Sequence, residues 1–245
     1  MKAKSLLGVA LLSSILFLQG PAALAATTSQ ADSKADIEFL ENDGPTNPKD
    51  PLEPKEDEDW EPEDEDEITG NKGPLSIDYI SNLHFGKVKM SGNVSSFFAE
   101  NTVNKDTVTK RPNFVQVSDH RGSGAGWTLT VQQDTPFAVA DGSAKIEATT
   151  LSLLNGYVNS VNNTGVDVRP VASQSIVIKP GAGAVKVSGA AGDGTKGMGS
   201  WTTAFGDTDE KGLESVKLTI PANTKINKAA YSTTLSWTLT DDPSN

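Results

Sequence analysis

The 245-residue chain has no cysteine and a net charge of −11, from 32 acidic and 21 basic residues. The missing cysteine excludes disulfide scaffolds, thiol nucleophiles and zinc fingers, and the acidic balance argues against a nucleic-acid partner.

The chain opens on MKAKSLLGVALLSSILFLQGPAALA. Lys2 and Lys4 precede an apolar run from Leu6 to Leu18, and Ala23-Leu24-Ala25 is a small-residue cleavage site. That is the three-part pattern of a secretory signal peptide, with an apolar core too short to span a membrane comfortably. Residues 1–25 are therefore expected to be a signal peptide. No cysteine follows to carry a lipid, and the ending WTLTDDPSN has no apolar tail, so no membrane span is expected after cleavage.

From Thr27 to Glu67 there are seventeen acids and three lysines, whereas Ile68 to Asn245 carries fifteen acids and sixteen bases. The acidity is local. In KDPLEPKEDEDWEPEDEDE, residues 49 to 67, nearly every side chain is Asp, Glu, Pro or Lys, which predicts self-repulsion and too little apolar surface to offset the entropy of folding. Residues 26–67 are accordingly expected to form a disordered Pro- and acid-rich spacer. No loop in it has the glycine and ligand spacing of a Ca²⁺ hand, so no metal is expected. Trp60 alone is left unexplained, and it is a candidate anchor for a partner.

Residues 68–245 change character, to short runs of alternating apolar and polar residues punctuated by Gly, Asn, Asp and Pro. LSIDYI (75–80), KVKM (87–90), FVQV (114–117), WTLTV (127–131) and KIEATTLSL (145–153) read as strands. SIVI (175–178), AVKV (184–187), SVKLTI (215–220) and TLSWTLT (234–240) read likewise. No window has a 3.6-residue apolar face. The expectation is an all-β domain, a single β-sandwich or a partly closed barrel. The glycine-rich stretch 181–201 contains GDGTKG but lacks the Gly-Lys-Ser/Thr ending and the following helix of a phosphate loop, so it reads as a loop with tight turns.

The chain offers little for catalysis. It has two histidines, His84 and His120, in unrelated contexts, and no metalloprotease motif. Asp119 and Asp134, flanking WTLT, are the candidate carboxylate pair for glycan hydrolysis, and with fifteen acids in the body such pairs arise readily by chance. A non-enzymatic protein without cofactor is expected.

Trp-Thr-Leu-Thr occurs twice, at 127–130 and 237–240, in a chain with four tryptophans. On a strand, Trp127, Leu129 and Val131 share one face and Thr128 and Thr130 the other; Leu235, Trp237 and Leu239 alternate with Ser and Thr in the same way. Two readings follow: the tryptophans are core, on two strands facing across it, or they offer flat faces to a ligand. In a combined reading, buried tryptophans shape a groove lined by the Thr and Ser row.

VSDHRGSGAGWTLTV, GSWTTAFG and the C-terminal YSTTLSWTLTDDP resemble, in that order, the markers of the WxL domain, a family of surface proteins of low-GC Gram-positive bacteria. DPLEP at 50–54 is similar to the Pro- and acid-rich N-terminal stretch of such proteins. The resemblance covers Ile68 to the C-terminus. It implies a secreted protein held non-covalently at the Gram-positive cell wall, with peptidoglycan as ligand and companion surface proteins as partners. The family motif falls on Trp127, Leu129, Trp237 and Leu239, with the polar lead-in on Asp119 and Arg121. A body of net charge +1 implies recognition by shape more than by charge. The other class of function is a structural or adhesive subunit that reaches the wall through a companion protein.

Overall fold

The computed structural model describes residues 29–64, 71–89, 92–162 and 168–243. The expected signal peptide lies outside the described residues. The chain divides into a short unit, Met1–Phe39, and a main unit, Leu40–Asn245. The described part of the short unit, residues 29–39, carries no helix or strand.

In the main unit the strands, in chain order, are β1 (Leu75–Ile80), β2 (Ser95–Phe98), β3 (Thr102–Val103), β4 (Lys110–Arg111), β5 (Phe114–Asp119) and β6 (Trp127–Gln133). Next come β7 (Phe137–Ala138), β8 (Lys145–Ile146), β9 (Thr150–Leu154), β10 (Gly156–Asn159) and β11 (Val171–Ala172). Last are β12 (Ser175–Ile178), β13 (Val185–Ala190), β14 (Gly199–Phe205), the one-turn helix α1 (Asp209–Gly212), β15 (Val216–Ile220) and β16 (Leu235–Thr240). Three four-stranded antiparallel sheets result, in orders β1-β5-β14-β10, β11-β13-β6-β16 and β12-β9-β15-β2, with two small hairpins, β3-β4 and β7-β8. The expectation of an all-β fold holds, in its sandwich-like form, and among the described residues no closed barrel is formed.

All three sheets share one core. Val115 and Val117 from β5, Trp127, Leu129 and Val131 from β6, and Leu151 and Leu153 from β9 belong to a single buried cluster. This is what period-two alternation dictates when one face of each sheet must be covered.

β5 is buried on both faces. Val115 and Val117 enter the shared core, while Phe114, Gln116 and Ser118 point the other way, where residues 45–64 cover them. Here the structure corrects the disordered-spacer expectation. Trp60 is only 2% exposed and meets Phe114 edge-on at 5.9 Å, in a second cluster with Tyr79 and Ala204. The Lys49 amide donates to Gln116 Oε1 at 2.8 Å, and Asn159 Nδ2 donates to the carbonyls of Pro51 and Leu52 at 3.2 and 3.0 Å. Arg111 Nε reaches both oxygens of Asp50, at 2.8 and 2.9 Å, and its two terminal nitrogens reach Glu53 and Asp209. Composition alone counted acids without their counter-charges, and counted apolar residues without weighing one fully buried Trp. The prolines also help, since they reduce the entropy that the free segment has to lose. Residues 65–67, the rest of the expected spacer, lie outside the described residues.

Eight of the nine expected strands are present, with ends shifted by a few residues and KIEATTLSL divided between β8 and β9. KVKM is the exception: residues 87–89 form no strand, and Met90 lies outside the described residues. β10 and β14 went unread because each begins at a glycine, and in β10 that glycine follows Asn155, whose backbone is left-handed at φ 56°. The glycine-rich stretch 181–201, read as a loop around the expected strand AVKV, also holds the rest of β13 and the start of β14.

Candidate binding site

The two Trp-Thr-Leu-Thr segments lie side by side. β16 pairs antiparallel with β6, placing Trp237 opposite Val131, Leu239 opposite Leu129 and Thr238 opposite Thr130. They are neighbours in one sheet, which corrects the expectation of two strands facing across the core. β6 is central, with β13 on its other side, whereas β16 is an edge strand. Burial follows from that placement: Trp127 and Leu129 are completely buried, while Trp237 and Leu239 are half-buried and packed against the same cluster. Trp127 Nε1 donates to the Gly197 carbonyl at 3.0 Å, so its polar atom is satisfied inside.

The Thr row on the outer side ties the pair together. Thr128 Oγ1 donates to the Asp242 carbonyl at 2.8 Å, and Thr130 Oγ1 donates to the Thr238 carbonyl at 3.3 Å. These hydroxyls are engaged with the neighbouring backbone.

Asp119 and Arg121 also come together. Arg121 Nε and Nη2 donate to the two carboxylate oxygens of Asp119 at 2.9 and 2.7 Å, and Nη2 also donates to the Gly126 carbonyl at 2.8 Å. The Asp119 side chain is wholly buried and that of Arg121 is 14% exposed. The hydrogen bond to Asp119 raises the Arg121 pKa above its ordinary value. The pair closes the turn between β5 and β6 and fixes where Trp127 begins. Gly126 has to be glycine there: its φ is 79°, and a Cβ would sit 2.6 Å from the Ala190 carbonyl oxygen.

The candidate carboxylate pair is not brought together. Asp119 is bound to Arg121 before β6, and Asp134 follows its far end, about 20 Å away for a seven-residue strand. Asp134 instead accepts from Gln132 and Ser236. His84 lies beside Asp64 at 3.0 Å, in a region separate from His120. Among the described residues no group of three His, Asp or Glu side chains is placed to hold a metal ion.

Among the described residues the surface clefts include two of note. A smaller one, about 260 Å³, is acidic and includes Glu63, Asp64, His84 and Glu100. The larger, about 420 Å³, lies between residues 42–59 and the outer face of β5 and β14, with Asn47, Lys49, Gln116, His120 and Ser200 among its lining. Sequence reading missed this cleft because it assigned residues 26–67 to a spacer. The signals available were the lone Trp60 and the Asp of DPLEP, which is the carboxylate that Arg111 holds.

Under the cleft floor lies a buried network. Asp78 accepts from Ser76 Oγ and Ser118 Oγ at 2.6 Å each and from Gln116 Nε2 at 2.9 Å. Burial pushes the Asp78 pKa up, and those hydrogen bonds oppose the shift. Since Ser118 spends its proton on Asp78, the 2.7 Å contact between Ser118 and Ser200 has Ser200 as donor.

Such a molecule is a β-sandwich-like surface module whose signature residues build its core. Over residues 26–243 the chain matches the family described as WxL domain surface cell wall-binding. It belongs to that family, and is a secreted surface protein associated with the cell wall. No curated protein and no solved structure matches the chain significantly. Among the described residues no helix is long and apolar enough to cross a membrane.

Proposed function

We propose that this protein is a non-enzymatic module that attaches to the wall by binding peptidoglycan directly. The observation that carries the reading is the extent of the family match: residues 26–243 include every described strand, and the three four-stranded sheets meet in one shared core. Wall binding is therefore assigned to this β-unit. Its charge supports the ligand class, because residues 68–245 have net charge +1 and the acids of the docked segment are partly neutralised by Arg111, Lys49 and Lys105. Anionic wall polymers would be met more favourably by a strongly basic face.

In this reading Trp127, Leu129, Asp119 and Arg121 act by holding the surface in shape. Trp237 and Leu239, half-buried on the edge strand, pack against the same core and support that shape from the sheet edge. The test is co-sedimentation of the secreted chain with protein-free peptidoglycan.

A second reading rests on β16. It has β6 as its ladder partner on one side and is a sheet edge on the other, so a companion surface protein could add a strand there. Loss of wall association in cells lacking neighbouring surface proteins, with no retention on pure peptidoglycan, would favour it.

A further inference from the structure

We propose that the 420 Å³ cleft between residues 42–59 and the outer face of β5 and β14 seats the glycan strand of the wall, as a neutral N-acetylated amino sugar of about two rings. The inference rests on the peptidoglycan reading and adds where contact is made and through which part of the polymer.

The volume falls within the range of roughly 300 to 1,000 Å³ usual for small-ligand sites. Of the charged side chains in the lining, Lys49 and Asp59 are paired with each other, and Glu56 contributes the one carboxylate without an ion pair among the described residues. Lys49 Nζ donates to Asp59 Oδ1 at 2.8 Å and to the Glu56 carbonyl at 2.7 Å, and Asn47 Nδ2 donates to the other Asp59 oxygen at 2.7 Å. With its lysine committed and Glu56 at its side, the cleft has little to offer a phosphate polymer, and with Asp59 neutralised only Glu56 remains to attract an ammonium group. An uncharged ligand fits.

The remaining polar atoms are those that hydroxyl and acetamido groups satisfy. Ser200 has given its proton toward Ser118 and presents lone pairs. The side chains of Thr46 and Asn162 make no hydrogen bond to the protein among the described residues, and both line the cleft. His120 Nδ1 is buried without a hydrogen-bond partner among the described residues. No Trp, Tyr or Phe lines the cleft, but Pro45 and Pro54 do, so a ring is held by hydrogen bonds at its edges and by apolar contact with its C–H groups.

The floor is preorganised. Gln116 is fixed at both ends, its Oε1 by the Lys49 amide and its Nε2 by Asp78 and the Asn47 carbonyl. Ordering of these groups precedes ligand arrival, which lowers the entropic cost of binding. The docked N-terminal segment is thereby one wall of the site.

The experiment uses the mature secreted chain, with Thr46→Trp and Asn162→Trp filling the cleft from opposite walls and Thr238→Trp altering the outer face of the other sheet. Binding is measured to protein-free peptidoglycan sacculi, with soluble N-acetylglucosamine oligomers and, separately, soluble stem peptides as competitors. The proposal expects retention of the parent, competition by the oligomers, and about tenfold or greater loss in both cleft variants at unchanged melting temperature. Thr238→Trp should bind like the parent. Folded cleft variants that bind normally would overturn the cleft assignment while leaving the peptidoglycan reading intact. Competition by stem peptide and not by glycan would overturn the ligand class. A parent that is not retained would remove the peptidoglycan reading itself, and the proposal with it.

Discussion

Leu129 and Leu239, the third residues of the two Trp-Thr-Leu-Thr segments, lie directly opposite each other in the ladder between β6 and β16. A duplicated tetrapeptide about a hundred residues apart in sequence thus becomes a contiguous apolar patch on one sheet. Cross-strand pairs of this kind stabilise a sheet by roughly 0.2–1 kcal/mol each beyond the burial of the side chains. The repeat is explained first as a packing device, and its two copies differ because one strand is central and the other is an edge.

That difference sets the first prediction. Trp127→Ala removes a fully buried side chain and should cost about 3–5 kcal/mol of unfolding free energy. Trp237→Ala, at a half-buried position, should cost less, about 1–3 kcal/mol, and weaken wall retention mainly through lost stability. Denaturant titration of both variants beside the parent gives the order. A Trp237→Ala protein that melts like the parent yet no longer binds would place Trp237 at the ligand.

The docked acidic segment supplies the second. Trp60→Ala should destabilise by about 3–5 kcal/mol, as for any large aromatic removed from a sealed position. Removal of residues 26–64 should do at least as much, because Tyr79 and Phe114 lose their cover. Protease digestion of the parent should spare residues 47–62. Rapid cleavage there, with an unchanged melting curve on truncation, would restore the view of a free spacer.

Arg111 fixes the same segment by charge. Its side chain is 12% exposed and bound to Asp50, Glu53 and Asp209, so Arg111→Met should leave Asp50 without its cation and cost about 1–3 kcal/mol. Asp50→Asn should give a smaller loss of the same sign. Hydrogen exchange at the Lys49 and Trp60 amides, both hydrogen-bonded in the docked state, reports whether the segment has been released.

Asp78 predicts a pH dependence. Burial raises its folded-state pKa above the ordinary 3.8, so the folded protein holds this proton more tightly than the unfolded chain does. Its contribution to stability is therefore fully present below pH 3.8 and is lost as pH rises through the raised folded value. Asp78→Asn abolishes the titration. The melting temperature of the parent relative to that variant should fall as pH is raised above 3.8; a difference independent of pH would contradict the assignment.

Much of the fold was legible because β-strands announce themselves by alternation, and Leu75–Ile80 and Ser175–Ile178 fall where the pattern puts them. The pairing of β6 with β16 was not legible, since alternation gives a strand its faces but not its neighbours. The candidate site was legible in part. Trp127, Leu129, Trp237 and Leu239 were found by repetition, and Asp119 and Arg121 by position, but their roles depend on burial that only the sheet order decides. The cleft escaped because its wall is a segment whose net charge predicts disorder. Four specific contacts, at Asp50, Lys49, Pro51 and Trp60, outweigh that average, and none of them is visible without the sheet they dock on.

Direct attachment is the central claim, and co-sedimentation of the mature chain, with residues 42–64 included, against protein-free peptidoglycan at low and high salt tests it most directly. Retention at both salts, with only mild weakening at the higher, is the predicted result for a site that works through shape and neutral hydrogen bonds. A folded protein that stays in the supernatant would contradict the claim and assign wall attachment to a companion protein at the β16 edge.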